Sequence, residues 1–185
     1  MAFDQSRLIA DFGDPIGEAA ACRNDCALFD FSFLEAARVE GAAAPETVER
    51  FSGRSLARLA QGEICYAVRV NQAGNVLSDL TIWRTGSHAF EVMSGRREDI
   101  TALLGCSGPD VTVTDLTPER AVLAAQGPGT LDALSKLGPV DSLARLRYFT
   151  FEKARFETSV GPACLSTLAR AAGRRSRWER NRRSG

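Results

Sequence analysis

The chain has 185 residues, 44% hydrophobic and 25% charged, with 23 basic and 23 acidic side chains. That length fits one large domain or two small ones, and the balance excludes wholesale disorder. No run reaches the roughly 18 apolar residues of a membrane-spanning helix, and the acid-containing start MAFDQSRLIADFGDP lacks a secretory plan, so a cytoplasmic protein with no membrane partner is expected.

In chain order, residues 14–27, DPIGEAAACRNDCA, open on an Asp-Pro start signal and continue Ala-rich, which predicts a helix. In LFDFSFLEAARVEG, Phe29, Phe31 and Phe33 alternate with Asp30 and Ser32, and period two with aromatics predicts a strand. APETVERFSG reads as a short helix entered at Pro45 and closed at Gly53. EICYAVRV and NVLSDLTIW are two apolar runs joined by NQAG, a hairpin. HAFEVMS reads as another strand and RREDITALLG as a helix ending at Gly105. VTVTDLT and RAVLAAQG come next as strands, GPGTLDALSKLG as a helix, and FTFEKARFET with PACLSTLA as a second hairpin. Strict βαβ alternation is lacking, so the expected class is α+β, with mixed or antiparallel sheets and packed helices.

The domain reading is one unit over 1–168 and an Arg-rich tail over 169–185. The tail ARAAGRRSRWERNRRSG holds seven Arg and one Glu, a net of +6, which leaves −6 on the first 168 residues. Such a segment cannot bury enough surface to order itself, so it is expected to be disordered or partner-bound. Only Lys136 and Lys153 stand against 21 Arg, which fits an out-of-frame reading of a longer GC-rich gene. A tail that binds nucleic acid and a merely solvated end remain as alternatives. With Trp178 alone to stack on bases, the nucleic-acid reading has thin support.

Five cysteines at 22, 26, 65, 106 and 164 form no C-x-x-C pair, so bystander thiols and no metal site are expected. The single histidine, His88, lies in a polar turn and reads as exposed. The Q-G-P-G run at 126–129 lacks a following Lys-Ser/Thr, so a strand-to-helix turn is expected rather than a phosphate loop. Arg96 and Arg97 open a helix, where cations are mildly disfavoured, and that oddity points to anion contact or a solvated face.

Asp79 is set into the apolar alternation of NVLSDLTIW, with Tyr66 thirteen residues earlier on the partner run. Paired antiparallel strands allow both to face one cavity. Periodicity alone leaves open that Asp79 faces solvent and Tyr66 is ordinary core.

Three stretches in order, CALFDFSFLEAARVEG, GEICYAVRVNQAGNVLSDLTIWR and ERAVLAAQGPGTLDAL, resemble the aminomethyltransferase family, the T-protein of the glycine cleavage system. RYFTFEKARF is similar to the segment that precedes the family's G-Y-T-G-E motif. The resemblance covers about residues 20–168 and implies a folate-binding domain of one-carbon metabolism with tetrahydrofolate as cofactor. It also implies a one-carbon donor, and a lipoyl carrier protein or another subunit as partner. In the complete enzyme a methylene group passes from an aminomethyl-lipoyl carrier to folate, through an iminium-like cation. The resemblance puts Asp79 where an acid faces the folate's reactive nitrogens and Tyr66 at an aromatic wall. A carboxylate in a water-poor pocket would stabilise that charge and orient the attacking nitrogen.

Departures qualify the resemblance. Ser78-Asp79 replaces a frequent pair of acids, Ser94 or Gly95 stands where an Asn is usual, and Arg54-Ser55 replaces an N-D pair. The G-Y-T-G-E segment and the family's remaining C-terminal part are absent, so the chain reads as truncated and weak or inactive alone as an aminomethyltransferase or demethylase-like transferase. The alternative is a non-catalytic subunit or scaffold of a heteromeric amine oxidase or demethylase.

Overall fold

The computed structural model describes residues 9–138, 140, 143–155 and 162–167, and the expected mixture of helices and antiparallel strands is present. Along the chain run α1 (Pro15–Asn24), β1 (Ala27–Asp30), β2 (Glu35–Glu40), α2 (Ala44–Ser52), β3 (Ile64–Val70), β4 (Val76–Gly86) and β5 (Ala89–Ser94). After these come α3 (Arg97–Leu104), β6 (Thr112–Asp115), β7 (Leu123–Gln126), α4 (Thr130–Ser135), β8 (Thr150–Arg155) and β9 (Pro162–Thr167). The Arg-rich stretch 169–185 lies outside the described residues. Among those described, no helix is long and apolar enough to cross a membrane.

Two compact units share the described chain. The first includes Asp30–Leu123 and Phe149–Phe151, the second Ala10–Phe29 and the described residues of Ala124–Tyr148 and of the stretch after Phe151.

The first unit is built on a five-stranded sheet in the order β3-β4-β5-β2-β6, with every neighbouring pair antiparallel. One face carries Ala37, Val39, Ala67, Leu80, Ile82, Phe90, Val92 and Val113. These pack with Ala44 and Val48 of α2 and Ile100 and Leu103 of α3. Pro45 in the first turn of α2 and Gly53 in the left-handed region at its end match their expected roles. Gly41, between β2 and α2, has φ +124, and a Cβ there would collide with the Asp110 carbonyl oxygen, so both conformation and space require glycine.

Polar groups stitch α3 to the sheet. Asp99, 2% exposed, accepts from Ser94 Oγ at 2.6 Å and pairs with Arg69, whose guanidinium lies 4.6 Å from the Phe51 ring centroid. The anion contact expected of Arg96 and Arg97 is internal. Arg97 pairs with Asp115 at 2.6 Å and Glu35 at 3.1 Å, while Arg96 donates to the Leu77 carbonyl and lies 3.8 Å from Glu98. Burial pushes the Asp115 carboxyl up, but hydrogen bonds from Thr117 and the Arg97 cation hold it below the ordinary value.

The expected single strand through Phe29, Phe31 and Phe33 is broken. β1 stops at Asp30, whose Oδ1 accepts from the Ser32 amide at 2.8 Å, and β2 begins only at Glu35. The side chain closes a local turn that competes with the sheet ladder. Phe31 and Phe33 then meet edge to face, 5.6 Å between centroids.

In the second unit, Asp14 caps α1 by accepting from the Gly17 amide at 2.9 Å, which is the Asp-Pro start at work. Apart from the five-stranded sheet, β1 pairs with β7 and β8 with β9, each as a two-stranded sheet. Gly127 and Gly129 sit against Asp25 at the end of α1, where the Gly129 amide donates to the Asp25 carbonyl at 2.7 Å. The Q-G-P-G run is therefore the strand-to-helix turn expected.

Leu80 is 1% exposed at the centre of the first unit's core. Leu80→Ala removes buried apolar volume that the neighbouring strands cannot refill, at a cost of about 2–5 kcal/mol. Chemical denaturation followed by circular dichroism should show a lowered midpoint of that size, whereas an unchanged midpoint would mean the site is not core.

Candidate functional site

The β3–β4 hairpin turns on Asn71, whose Oδ1 accepts from the amides of Ala73 at 2.9 Å and Asn75 at 3.0 Å, with Gly74 at φ +80. This side-chain closure of the turn fixes the register of the two strands. Val68 stands opposite Asp79, Tyr66 opposite Thr81 and Ile64 opposite Trp83, with a bulge at Arg69/Val70. Since neighbours on a strand face opposite sides, Ser78, Leu80 and Ile82 turn to the helices, and Leu77, Asp79, Thr81 and Trp83 to the second face.

Both sequence-nominated residues lie on that second face, and they touch. Tyr66 Oη donates to Asp79 Oδ2 at 2.6 Å. Asp79 Oδ1 has no hydrogen-bond partner among the described residues. The hydrogen bond to the Asp79 carboxylate comes first in holding the Tyr66 phenol above its ordinary value, with desolvation and the nearby charge adding to it. A phenol with this partner stays neutral and acts as donor.

The expectation of an enclosed, water-poor hollow is not met by the described residues themselves. Asp79 is exposed, Tyr66 is 47% exposed, and their neighbours Val68 and Val70 are 42% and 52% exposed. The physical reason is local: helices α2 and α3 pack the opposite face, and this end of β3 and β4 carries no covering element of the same unit among the described residues. Within the described residues of this unit the site is an open platform, with an aromatic ring and a carboxylate set among valines.

The face changes character across the sheet. Beside Trp83 and Met93, Glu91 accepts from Arg38 at 3.3 Å and Arg120 at 2.8 Å. Trp83 packs on Phe151 at 5.2 Å and donates its indole N–H to Thr81 Oγ1 at 3.0 Å. Sequence reasoning missed Thr81 and Trp83, although counting on by twos from Asp79 would have reached them. Glu91, Arg38 and Arg120 belong to separate segments, and only the strand order brings them together.

The departures from the family pattern also find physical places. Ser78, standing where a first acid is frequent, faces the helix-packed side, buried and without a hydrogen-bond partner for its Oγ among the described residues. Its cross-strand neighbour there is Arg69, so this position belongs to the helix side and contributes nothing to the second face. Ser94, standing where an Asn is usual, is occupied by Asp99. His88 is exposed, and its ring lies 3.2 Å from the hydroxyl of the adjacent Ser87. Cys22, Cys26, Cys65 and Cys106 are free thiols, and no group of three or more potential ligands that could hold a metal occurs among the described residues.

Comparison with known proteins extends this picture. A family model described as the GCVT N-terminal domain matches residues 11–166. An aminomethyltransferase from Parafrankia sp. (strain EAN1pec) is 33% identical over 162 residues, covering 85% of this chain and 43% of the relative. One from Halothermothrix orenii is 29% identical over 139 residues, covering 74% of this chain and 39% of its own length. The crystal structure of glycine cleavage system aminomethyltransferase T from Bartonella henselae superposes with a TM-score of 0.65 at 26% identity, over 73% of this chain and 37% of that one. The chain spans about two fifths of the length of the curated relatives it matches.

The Tyr66–Asp79 contact has a signed pH dependence. The phenol's folded value is raised above the ordinary value of about 10, so the contact is fully present below that value and is lost as pH rises through the raised one. In a Tyr148→Phe background, phenolate absorbance should report Tyr66 ionising at lower pH once Asp79 becomes Asn. Superimposable titrations would show that the carboxylate does not hold the phenol.

Proposed function

The chain belongs to the family of GCVT N-terminal domains, and from that premise we propose that it binds a reduced folate, tetrahydrofolate or a close derivative, at the exposed β3–β4 end of the second face of its five-stranded sheet. The supporting observation is the pairing of an exposed aromatic ring with a carboxylate that keeps one oxygen free. Tyr66 offers a flat apolar surface to a pteridine or its side arm, and its hydroxyl fixes the carboxylate beside it. Asp79 Oδ1 is then available to accept from a ligand N–H, a charge-assisted bond.

A bound folate would supply the nitrogens that accept a one-carbon unit, and Asp79 would offset the positive charge on that carbon as it moves. Magnitudes decide how well this chain does so alone. Two unit charges 4 Å apart interact by about 1 kcal/mol in water but about 4 kcal/mol at an effective dielectric of 20. Asp79 is exposed, so the stabilisation falls below the second figure and toward the first. The chain by itself is therefore a weak transferase or none, and its donor, whether carried on a lipoyl protein or free, belongs to a fuller assembly. A cytoplasmic setting is part of the same reading.

A second reading, a non-catalytic subunit of a heteromeric amine oxidase or demethylase, is favoured by the exposed apolar strip of Val68, Val70 and Val76. Chromatography with light scattering separates the two readings, since a stable lone monomer contradicts an obligate subunit.

Equilibrium titration with folinic acid tests the main reading. Saturable binding is expected, weakened about tenfold or more in Asp79→Asn, the scale of one hydrogen bond to a charged group. Absence of saturation, or equal affinity in Asp79→Asn, contradicts it.

A further inference from the structure

The polar row on β4 does not end at Asp79. Two residues on, Thr81 stands directly opposite Tyr66, and two further, the Trp83 indole N–H donates to Thr81 Oγ1 at 3.0 Å. An indole N–H is a donor only, so Thr81 receives this bond on a lone pair and keeps its own O–H proton to give. That proton has no acceptor among the described residues, because the Trp83 contact is the hydrogen bond Thr81 makes. The indole is itself held in place, its ring 5.2 Å from that of Phe151 and tilted by 52°. The indole thus holds one lone pair of the hydroxyl and leaves its proton and second lone pair available to a ligand.

Asp79 shows the complementary case. Its Oδ2 is taken by Tyr66, and Oδ1 is an acceptor waiting for a donor. Alternate positions on a strand are about 7 Å apart, so one edge of β4 presents an acceptor and, a ring's width away, an oriented donor. The Tyr66 side chain lies across from the second and bonded to the first. Valines and leucines on this stretch of the strand offer nothing comparable.

We propose that Thr81, oriented by Trp83, is a specificity-determining hydrogen-bond donor of this face, giving its proton to a carbonyl or ring-nitrogen acceptor of the same flat heterocycle whose N–H Asp79 receives. This deepens the folate reading and rests on it. The face then offers a ligand the Asp79 acceptor and, about 7 Å along β4, the Thr81 hydroxyl proton. Thr81→Val keeps the shape and the strand preference of the residue while removing the proton and the lone pair. Trp83→Phe leaves the hydroxyl but frees it to turn away.

The experiment is calorimetric titration of the full chain with folinic acid, beside a thermal melt of each variant. Thr81→Val should bind about three- to tenfold more weakly, the range of one neutral hydrogen bond. Thr81→Ser should stay within about twofold of the unaltered chain, and Trp83→Phe should fall between. A hydroxyl with a purely structural role would lower the melting midpoint and leave the affinity of the folded protein unchanged. Should Thr81→Val not fold, Trp83→Phe carries the test, and an affinity equal to that of the unaltered chain overturns the inference. Saturable binding with equal affinity in Thr81→Val overturns the role of Thr81 alone. No saturable binding by the unaltered chain overturns the folate reading and this inference with it.

Discussion

Adjacent residues of a strand face opposite sides of its sheet, and β4 uses that rule over its 11 residues to serve a core and a platform together. Leu80 and Ile82 enter the helix-packed core, and their burial sets which way the whole strand faces. Asp79, Thr81 and Trp83 are carried to the other side with no freedom to choose. A slip of one residue against β3 would carry the carboxylate into the core and two large aliphatic side chains into water. The Asn71 turn and the apolar alternation agree on the register, which is why a charged residue is tolerated in the middle of a strand.

The two faces handle their charges differently. On the helix side, Asp99 is nearly sealed off, and Ser94 and Arg69 give it a hydrogen bond and a counter-charge. Removing either partner would leave a buried charge only partly compensated, a far larger loss than the pair contributes as a whole. On the second face, Glu91 lies between Arg38 and Arg120, so this end of the face keeps a net cation beside Trp83. At the other end, Asp79 has only a neutral phenol. The face therefore carries a lone carboxylate at its β4 end and a cation-flanked carboxylate on β5.

Much of the fold is legible in the sequence because local and global signals agree. The hairpin around NQAG, the Pro45 to Gly53 helix and the Asp14 cap all fall where turn and cap chemistry put them. The strand through the phenylalanines does not form, because the Asp30 carboxylate closes a turn on Ser32 instead of serving as the polar half of an alternation. The partners of Arg97, Glu35 and Asp115, stand far away in sequence, and no local pattern announces them. Asp79 and Tyr66 stand out through a motif, and their contact agrees with the spacing. Their exposure is not legible, because period two says which residues share a face but not whether anything lies over it.

The central claim is that the second face, and not the helix-packed one, meets the ligand. Methyl-selective NMR during addition of folinic acid reads this directly, since the two faces carry different methyl groups. Signals of Val68 and Thr81 are predicted to shift in a saturable way while those of Ile82, Val92 and Val39 stay in place. Shifts confined to the second group, or none in either, would contradict the claim.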